Sequence, residues 1–458
     1  MYARGTRRGY RYPPLPVRRR LLIALAAALC ACSAASAATG RTAGDPLQAQ
    51  EWWLPHIGAD PAAAPGPGVP ITIVDTGVDP THPEFAGRPN TAFLDDQTVA
   101  GAGENRGTEV ASLAAAPENG VGIVGVYPQA ALQSWDASPS PVLVDTSIAQ
   151  GIDAAAAHCP GVITLGFSGT DRSSVVEDAV VRAVHNGCLV VAAAGNTGLQ
   201  GSPTTYPSAL PHVLSVGATD QNDAPAPFST LGPSVDVAAP GVGLVAAVPP
   251  AFDPSGYVAS LDGTSFSAAL VSAAAAWVWT VRPTLDAGQL FELLRGTARD
   301  VGSPGFDSAS GFGIVNIPAA LAAPAPARDP SEPNDDIDEI QPGGLFPEGQ
   351  PALTDTSKPG TRVAGRIDES EDPRDLYRIW VPAHRVVRAT VSAGGDAAAR
   401  IWGPRTVSVG ERILSRRRDL RGPLIRGGNA GVFAYVEVLL TGRTTSANYV
   451  LSVRASKR

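Results

Sequence analysis

The sequence predicts an α/β domain, a parallel sheet with helices on both faces, followed by a small all-β sandwich. Three observations predict it. Between about residues 47 and 322, uninterrupted apolar runs ("VPITIVDTG", "GVITLGFSG", "CLVVAAAGN", "HVLSVGATD", "VDVAAPG") alternate with alanine-rich segments of helical period. Strands that are apolar on both faces belong to a parallel sheet covered on both sides. Near the C-terminus the helical period disappears. "LYRIWVP", "HRVVRATVSAG", "AARIWG", "VFAYVEVLL" and "NYVLSVR" are short, β-branched and aromatic, and are separated by Gly and Pro, the pattern of a β-sandwich. Between the two regions, "LAAPAPARDPSEPNDD" is Pro/Ala-rich and then acidic, which is linker composition. The expected organisation is an export signal over 1–37, an α/β domain over 45–322, a linker over 323–336 and a β-sandwich over 337–458.

The elements follow in order. Seven arginines and no acid precede Leu21, and an apolar run from Leu21 to Ala37 ends in Ala35-Ser36-Ala37. A basic start, a short apolar stretch and a small-x-small end read as a cleavable secretory signal. Retention as an N-terminal anchor is the other reading, and the run is short for a membrane span. Taking those seven charges from the formal −8 leaves −15 for the rest of the chain. So acidic a protein is a poor partner for nucleic acid or an anionic membrane. Contact with a membrane is expected only if the N-terminal segment stays uncleaved. In the α/β region, helices are predicted over 107–116, 146–157, 174–186 and 264–281. Cys159 and Cys188 each stand just before an apolar run. If those strands are parallel neighbours the two thiols meet at one sheet end. A disulfide and a pair of buried thiols are both open.

Four segments carry the chemistry. "ITIVDTGVD" delivers Asp75 at the end of a strand. "NRGTEVASLAAAPENGVGIVG" places Arg106 at the start of a helix. "LVVAAAGNTG" ends a strand at Asn196. "LDGTSFSAALVS" sets Ser265 at the start of a long apolar helix. Singly, each has a bland reading: Asp75 as a helix cap, Asn196 as a turn former, Ser265 as a small packing residue. In this order, and with "PFSTLGPSVDVAAPG" and "GFGIVNIPAAL", the chain from about Asp45 to Leu321 resembles the subtilisin-like serine peptidases (subtilases). "SEPNDD" and "DPRDLYRIWV" are more loosely similar to the pre-peptidase C-terminal domains that follow many secreted peptidases.

The resemblance implies a subtilisin-like sheet, a polypeptide substrate or peptide ligand, and roles for particular residues. Ser265 would be the nucleophile, because a serine hydroxyl beside a base and a helix N-terminus can support developing negative charge. Asn196 would donate to the oxyanion. Loss of that donor costs about 100- to 1000-fold in kcat in a measured member of the family. Asp75 would orient the base. Leu165, Gly166, Phe167, Ser168 and Gly169 would line the pocket for the residue before the scissile bond. The base itself differs. Where the family has His-Gly-Thr, this chain has Arg106-Gly107-Thr108. Arginine offers donors only and stays protonated, so Arg106 is expected to form an ion pair with Asp75 and to leave Ser265 without a base.

Three functions are therefore carried forward: a secreted endopeptidase with severely impaired activity, a non-catalytic peptide-binding pseudoprotease, and an envelope scaffold. Residues 38–44 alone separate the signal from the α/β domain, too few for the inhibitory prodomain that many secreted relatives carry. Glu332, Asp335 and Asp336 read as solvated linker, since no spaced calcium loop surrounds them. Calcium at the catalytic domain is implied by the resemblance alone, with no placeable ligands, and no other cofactor is expected.

Overall fold

The computed structural model describes residues 44–96, 104–138, 142–326, 352–368, 374–393, 396–407, 420–442 and 446–457, with a few single positions between them. The signal segment and Glu332, Asp335 and Asp336 lie outside the described residues.

Seven strands form one parallel sheet: β1 (Ile71–Asp75), β2 (Thr91–Phe93), β3 (Leu132–Asp136), β4 (Val162–Leu165), β5 (Leu189–Ala193), β6 (Val213–Thr219) and β7 (Val237–Pro240). Their spatial order is β2-β3-β1-β4-β5-β6-β7. Every residue of β1, β4, β5, β6 and β7 is buried, as uninterrupted apolar runs require. Alternate side chains enter separate cores. Ile71, Ile73, Val191 and Val216 join one core; Val74, Ile163, Val190 and Val213 join the other. β2 and β3 at the sheet edge are only partly covered. A hairpin of β8 (Leu244–Ala247) and β9 (Tyr257–Leu261) stands apart.

Seven helices surround the sheet among the described residues: α1 (Trp53–His56), α2 (Arg106–Ala115), α3 (Asp145–Ala156), α4 (Ser174–His185), α5 (Thr264–Val281), α6 (Ala287–Gly296) and α7 (Ile317–Ala322). α3 and α4 cover one face, and α2 and α5 the other. α5 is apolar all round and is buried along most of its length, which identifies a core helix rather than a surface one. Cys159 and Cys188 precede the neighbouring strands β4 and β5 and are joined by a disulfide, with their Cα atoms 5.1 Å apart.

The C-terminal strands form two antiparallel four-stranded sheets. One is ordered β10 (Gly360–Asp368), β17 (Ser446–Lys457), β12 (Arg385–Ala393), β15 (Leu424–Arg426). The other is β11 (Arg374–Val381), β16 (Val432–Leu440), β13 (Ala397–Trp402), β14 (Leu420–Gly422). Ile367, Val387 and Leu451 from the first pack with Ile379, Ile401 and Val436 from the second in one shared core. An ionic junction ties β10 to α6. Arg295 is buried, 3.1 Å from Glu292, 3.4 Å from Asp236 and 3.4 Å from Asp368. Its guanidinium lies over the rings of Phe291 and Phe312. Arg366 adds ion pairs to Glu292 and Asp368.

Candidate active site

The carboxyl end of the parallel sheet is where a βα unit exposes its loops, and there the four chemical segments converge. β1 hands over to Thr76-Gly77, with Gly77 in the left-handed region at φ 74°. The start of α2 is locked onto this turn. The backbone N–H of Gly107 donates to Thr76 Oγ1 at 3.0 Å, and that of Asp79 donates to Thr108 Oγ1 at 3.0 Å. A Cβ on Gly107 would lie 2.1 Å from the Gly77 carbonyl oxygen, so only glycine allows the approach. Arg106 is thereby delivered to Asp75.

Asp75 is fully buried. Its Oδ1 accepts from the Thr76 N–H at 2.8 Å. Arg106 Nε donates to both carboxylate oxygens, at 2.9 and 3.0 Å, and Nη2 lies 2.8 Å from Oδ1. The pair is therefore centred on Nε and is not the fork of two parallel bonds usual for arginine and carboxylate. Asp75 Oδ2 is hemmed in on its other side by Gly166. Glu109, one turn along α2, is buried and accepts from Asn105 Nδ2 at 2.5 Å. Burial pushes its carboxyl up to about 7, against the pull of Asn105 and Arg106.

The second half of the site is equally interlocked. Asn196 follows β5, and its Oδ1 accepts from the Thr264 N–H at 3.1 Å and from Thr264 Oγ1 at 2.9 Å. The Gly195 N–H donates to Thr264 Oγ1 at 3.1 Å. Because a backbone N–H can only donate, the Asn196 oxygen is the atom committed to the helix. Its Nδ2 remains as a donor. Ser265, in the first turn of α5, is 8% exposed, and its hydroxyl has no hydrogen-bond partner among the described residues. Gly166 joins the two halves. A Cβ there would stand 2.7 Å from Asp75 Oδ2 and 3.7 Å from Ser265 Cβ. Asp75, Arg106, Asn196 and Ser265 thus gather around one end of the sheet.

The segment Leu165–Gly169 contributes differently from the expectation that all five residues line a pocket. Leu165 and Phe167 are buried in the core under α3 and α4, so only their backbone is available to a ligand. Gly166 serves as the gap that admits Asp75, while Ser168 and Gly169 are partly exposed. Gly169 exchanges two backbone hydrogen bonds with Tyr206, at 2.9 and 2.7 Å.

No histidine is placed to act as a base for Ser265 among the described residues. His82 is buried with both ring nitrogens engaged: Nε2 with the Gly256 carbonyl at 2.9 Å, and Nδ1 as acceptor from the Glu84 N–H at 3.1 Å. Burial holds its pKa below the usual value. His56 is paired with Asp223. His158, His185 and His212 precede β4, β5 and β6, at the amino end of the sheet, and His384 precedes β12. Nor do three or more acidic, histidine or cysteine side chains converge in a metal-binding group among the described residues.

Asp136 is a neighbour that sequence reasoning missed. It ends β3 in register with Asp75, and its Oδ1 accepts from Ser138 N and Oγ at 2.8 and 2.7 Å. Its strand, "LQSWD", alternates apolar and polar residues at the partly covered sheet edge and so lacks the continuous apolar run that marked the other strands. Alternation itself was the available signal.

Comparison with known proteins agrees with this geometry. Residues 66–313 match the subtilase family, peptidase S8. The chain is 33% identical over 279 residues to Subtilisin DY of Bacillus licheniformis, covering 60% of this chain and 99% of the relative. It is 35% identical over 280 residues to Subtilisin Savinase of Lederbergia lenta, again covering 60% and 99%. Among solved structures, the psychrophilic subtilisin-like protease Apa1 of Pseudoalteromonas sp. AS-11 superposes with a TM-score of 0.52 at 20% identity. The match covers 59% of this chain and 97% of that one, a likeness of fold. With its motifs interlocked at the carboxyl end of such a sheet, the chain belongs to the subtilase family of serine peptidases.

Proposed function

We propose that this protein is an exported subtilase in which the cleft still receives polypeptide while hydrolysis of the peptide bond is severely impaired. The observation that carries the reading is the pairing of Arg106 with Asp75, which leaves Ser265 without a base among the described residues. In the proposed roles Ser265 is the nucleophile, Asn196 the oxyanion donor and Asp75 the group that would orient a base. A serine hydroxyl needs a neighbouring base to become nucleophilic. Arg106 stands where the resemblance puts that base, carries a permanent positive charge and has no lone pair to accept a proton. Asp75 cannot substitute, because its oxygens are occupied by Arg106 and Thr76. What is left is binding and oxyanion stabilisation, which in measured members of such systems retain about 1000- to 10000-fold over water. The Cys159–Cys188 disulfide supports export through the N-terminal segment, since such bonds persist in oxidising compartments.

The test is peptide hydrolysis by the exported form beside its Arg106→His variant, once codon 106 is confirmed. Restoring a base is expected to raise turnover at least about 100-fold, and Ser265→Ala in that background should remove the gain. Turnover at family-like rates by the unaltered protein, abolished by Ser265→Ala, would refute the reading. The peptide-binding pseudoprotease reading is favoured by the unused Asn196 and Ser265 donors. Saturable binding without turnover would select it, and an envelope scaffold would bind no peptide at all.

A further inference from the structure

The two regions of the chain carry opposite charge. Residues 45–322 hold 26 acidic residues against seven basic ones, a net of −19. Residues 360–458 hold 18 basic residues against nine acidic ones, a net of +9. The net charge of the whole chain conceals this division. A basic unit joined to an acidic one points to an anionic partner for the basic unit.

The β-sandwich concentrates that charge on one face. Val363, Val387, Ile425 and Val453 pack in the core between its two sheets. Side chains alternate along a strand, so the adjacent Arg362, Arg388, Arg426 and Arg454 point outward from the sheet β10-β17-β12-β15, and all four are exposed. Arg388 lies directly opposite Arg454. Arg362 is opposite Ser452, two residues from Arg454 on the same face. Arg426 is opposite Val386, two residues from Arg388 in the other direction. The four arginines therefore run diagonally across the four strands, over roughly 20 Å from strand spacing and rise. Among the described residues none of the four has an ion pair. Asp368 is the only acid on these strands among the described residues, and it is engaged with Arg295 and Arg366 at the junction with α6. Like charges directly opposite each other destabilise a sheet, so the facing of Arg388 and Arg454 costs stability that a bound anion would restore.

We infer that this face binds a linear anionic polysaccharide, whose sulfate or carboxylate groups pair with Arg362, Arg454, Arg388 and Arg426. A guanidinium matches such oxyanions through two parallel hydrogen bonds. A diagonal row fits a chain and not a plane. Ser452, Ser456 and Thr390 share the outward face, and their hydroxyls both donate to and accept from sugar hydroxyls. Tyr449 is the only aromatic residue on these strands and is buried, so bases of a single-stranded nucleic acid would find nothing to stack on. The exposed large apolar side chains among the described residues all lie between Phe93 and Phe306, so the sandwich has no anchor for a bilayer. The β-sandwich thus tethers the α/β domain to an anionic glycan, whatever the state of the active site.

The test measures binding of the exported full chain to heparin as the sulfated probe, polygalacturonate as the carboxylated one and dextran as the neutral one. Heparin or polygalacturonate should bind, with affinity falling as salt rises, and dextran should not. Arg388→Gln combined with Arg454→Gln should weaken that binding at least about 10-fold, through loss of two charge-assisted contacts. Without ligand the same double variant should melt no lower than the unaltered protein, because it relieves a like-charge pair, which separates lost binding from lost folding. Arg400→Gln combined with Arg421→Gln removes the same charge from exposed positions on the other sheet and should leave binding unchanged. Binding to neither polyanion, or equal losses in the two double variants, overturns the site. Duplex DNA bound as tightly as heparin overturns the choice of a polysaccharide in favour of any phosphate polymer. Binding to phosphatidylglycerol vesicles but to neither polysaccharide overturns it in favour of a membrane surface.

Discussion

Gly166→Ala adds one methyl group at the most crowded point of the site. Its Cβ would stand 2.7 Å from Asp75 Oδ2, 3.3 Å from Val110 Cγ2 and 3.7 Å from Ser265 Cβ. A carbon–oxygen contact that short must open by roughly half an ångström to reach van der Waals separation. Asp75 cannot yield cheaply, because it is fully buried and held by the Thr76 N–H and by Arg106. Gly166 itself has an ordinary φ, so the cost is crowding and not backbone strain. Overpacking of this kind costs about 1–3 kcal/mol. Urea denaturation should therefore show a lower midpoint at unchanged slope. In the Arg106→His background, displacement of Asp75 should also lower kcat, by up to about 100-fold for a 1 Å misplacement. Gly296→Ala, where the new Cβ meets nothing within 4 Å, is the control and should shift stability by less than about 1 kcal/mol. An unchanged midpoint for Gly166→Ala, together with unchanged activity, would refute the placement of Asp75 and Ser265 around this glycine.

Three further outcomes are expected. Glu51 is buried with Oε2 unpartnered, and burial pushes its carboxyl up to about 8. Its folded pKa is raised, so its contribution to stability is full below pH about 4.5 and is lost as pH rises through about 8. Glu51→Gln, which can still accept from the Val124 N–H, should flatten the decline in thermal midpoint between pH 5 and 8; an identical decline would count against burial as the cause. Arg295→Ala removes the cation shared by Asp236, Glu292 and Asp368. Breaking such a buried cluster costs about 3–5 kcal/mol and should release the β-sandwich from α6, read as faster limited proteolysis between the two; unchanged proteolysis would mean that the apolar contacts alone hold the junction. Replacing Cys159 and Cys188 by alanine opens a loop with a sequence separation of 29 and should lower stability by about 3–4 kcal/mol under oxidising conditions, and not after reduction.

Much of this protein was legible in its sequence, because its decisive signals are local. Apolar runs on strands buried on both faces, alternating with alanine-rich helices, specify a covered parallel sheet whatever the chain does elsewhere. The loss of helical period near the C-terminus announced two antiparallel sheets in the same way. Gly77 and Gly195, at positive φ, Gly107, against the Gly77 carbonyl, and the Gly263-Thr264-Ser265 turn carried the motifs, since such positions exclude other side chains. Arg106 could be recognised as incompatible with a base from its own chemistry, before any coordinates. What only the tertiary structure decided are relations between residues far apart in the chain. They include the Nε-centred pairing of Arg106 with Asp75, 31 residues away, and the commitment of the Asn196 oxygen to Thr264 across 68 residues. The burial of Leu165 and Phe167 away from the cleft and the meeting of Arg295 with Asp368 belong with them. Local pattern sets which face of an element is apolar. Which donor finds which acceptor depends on how the loops at the sheet's carboxyl end pack together, and periodicity carries no record of that.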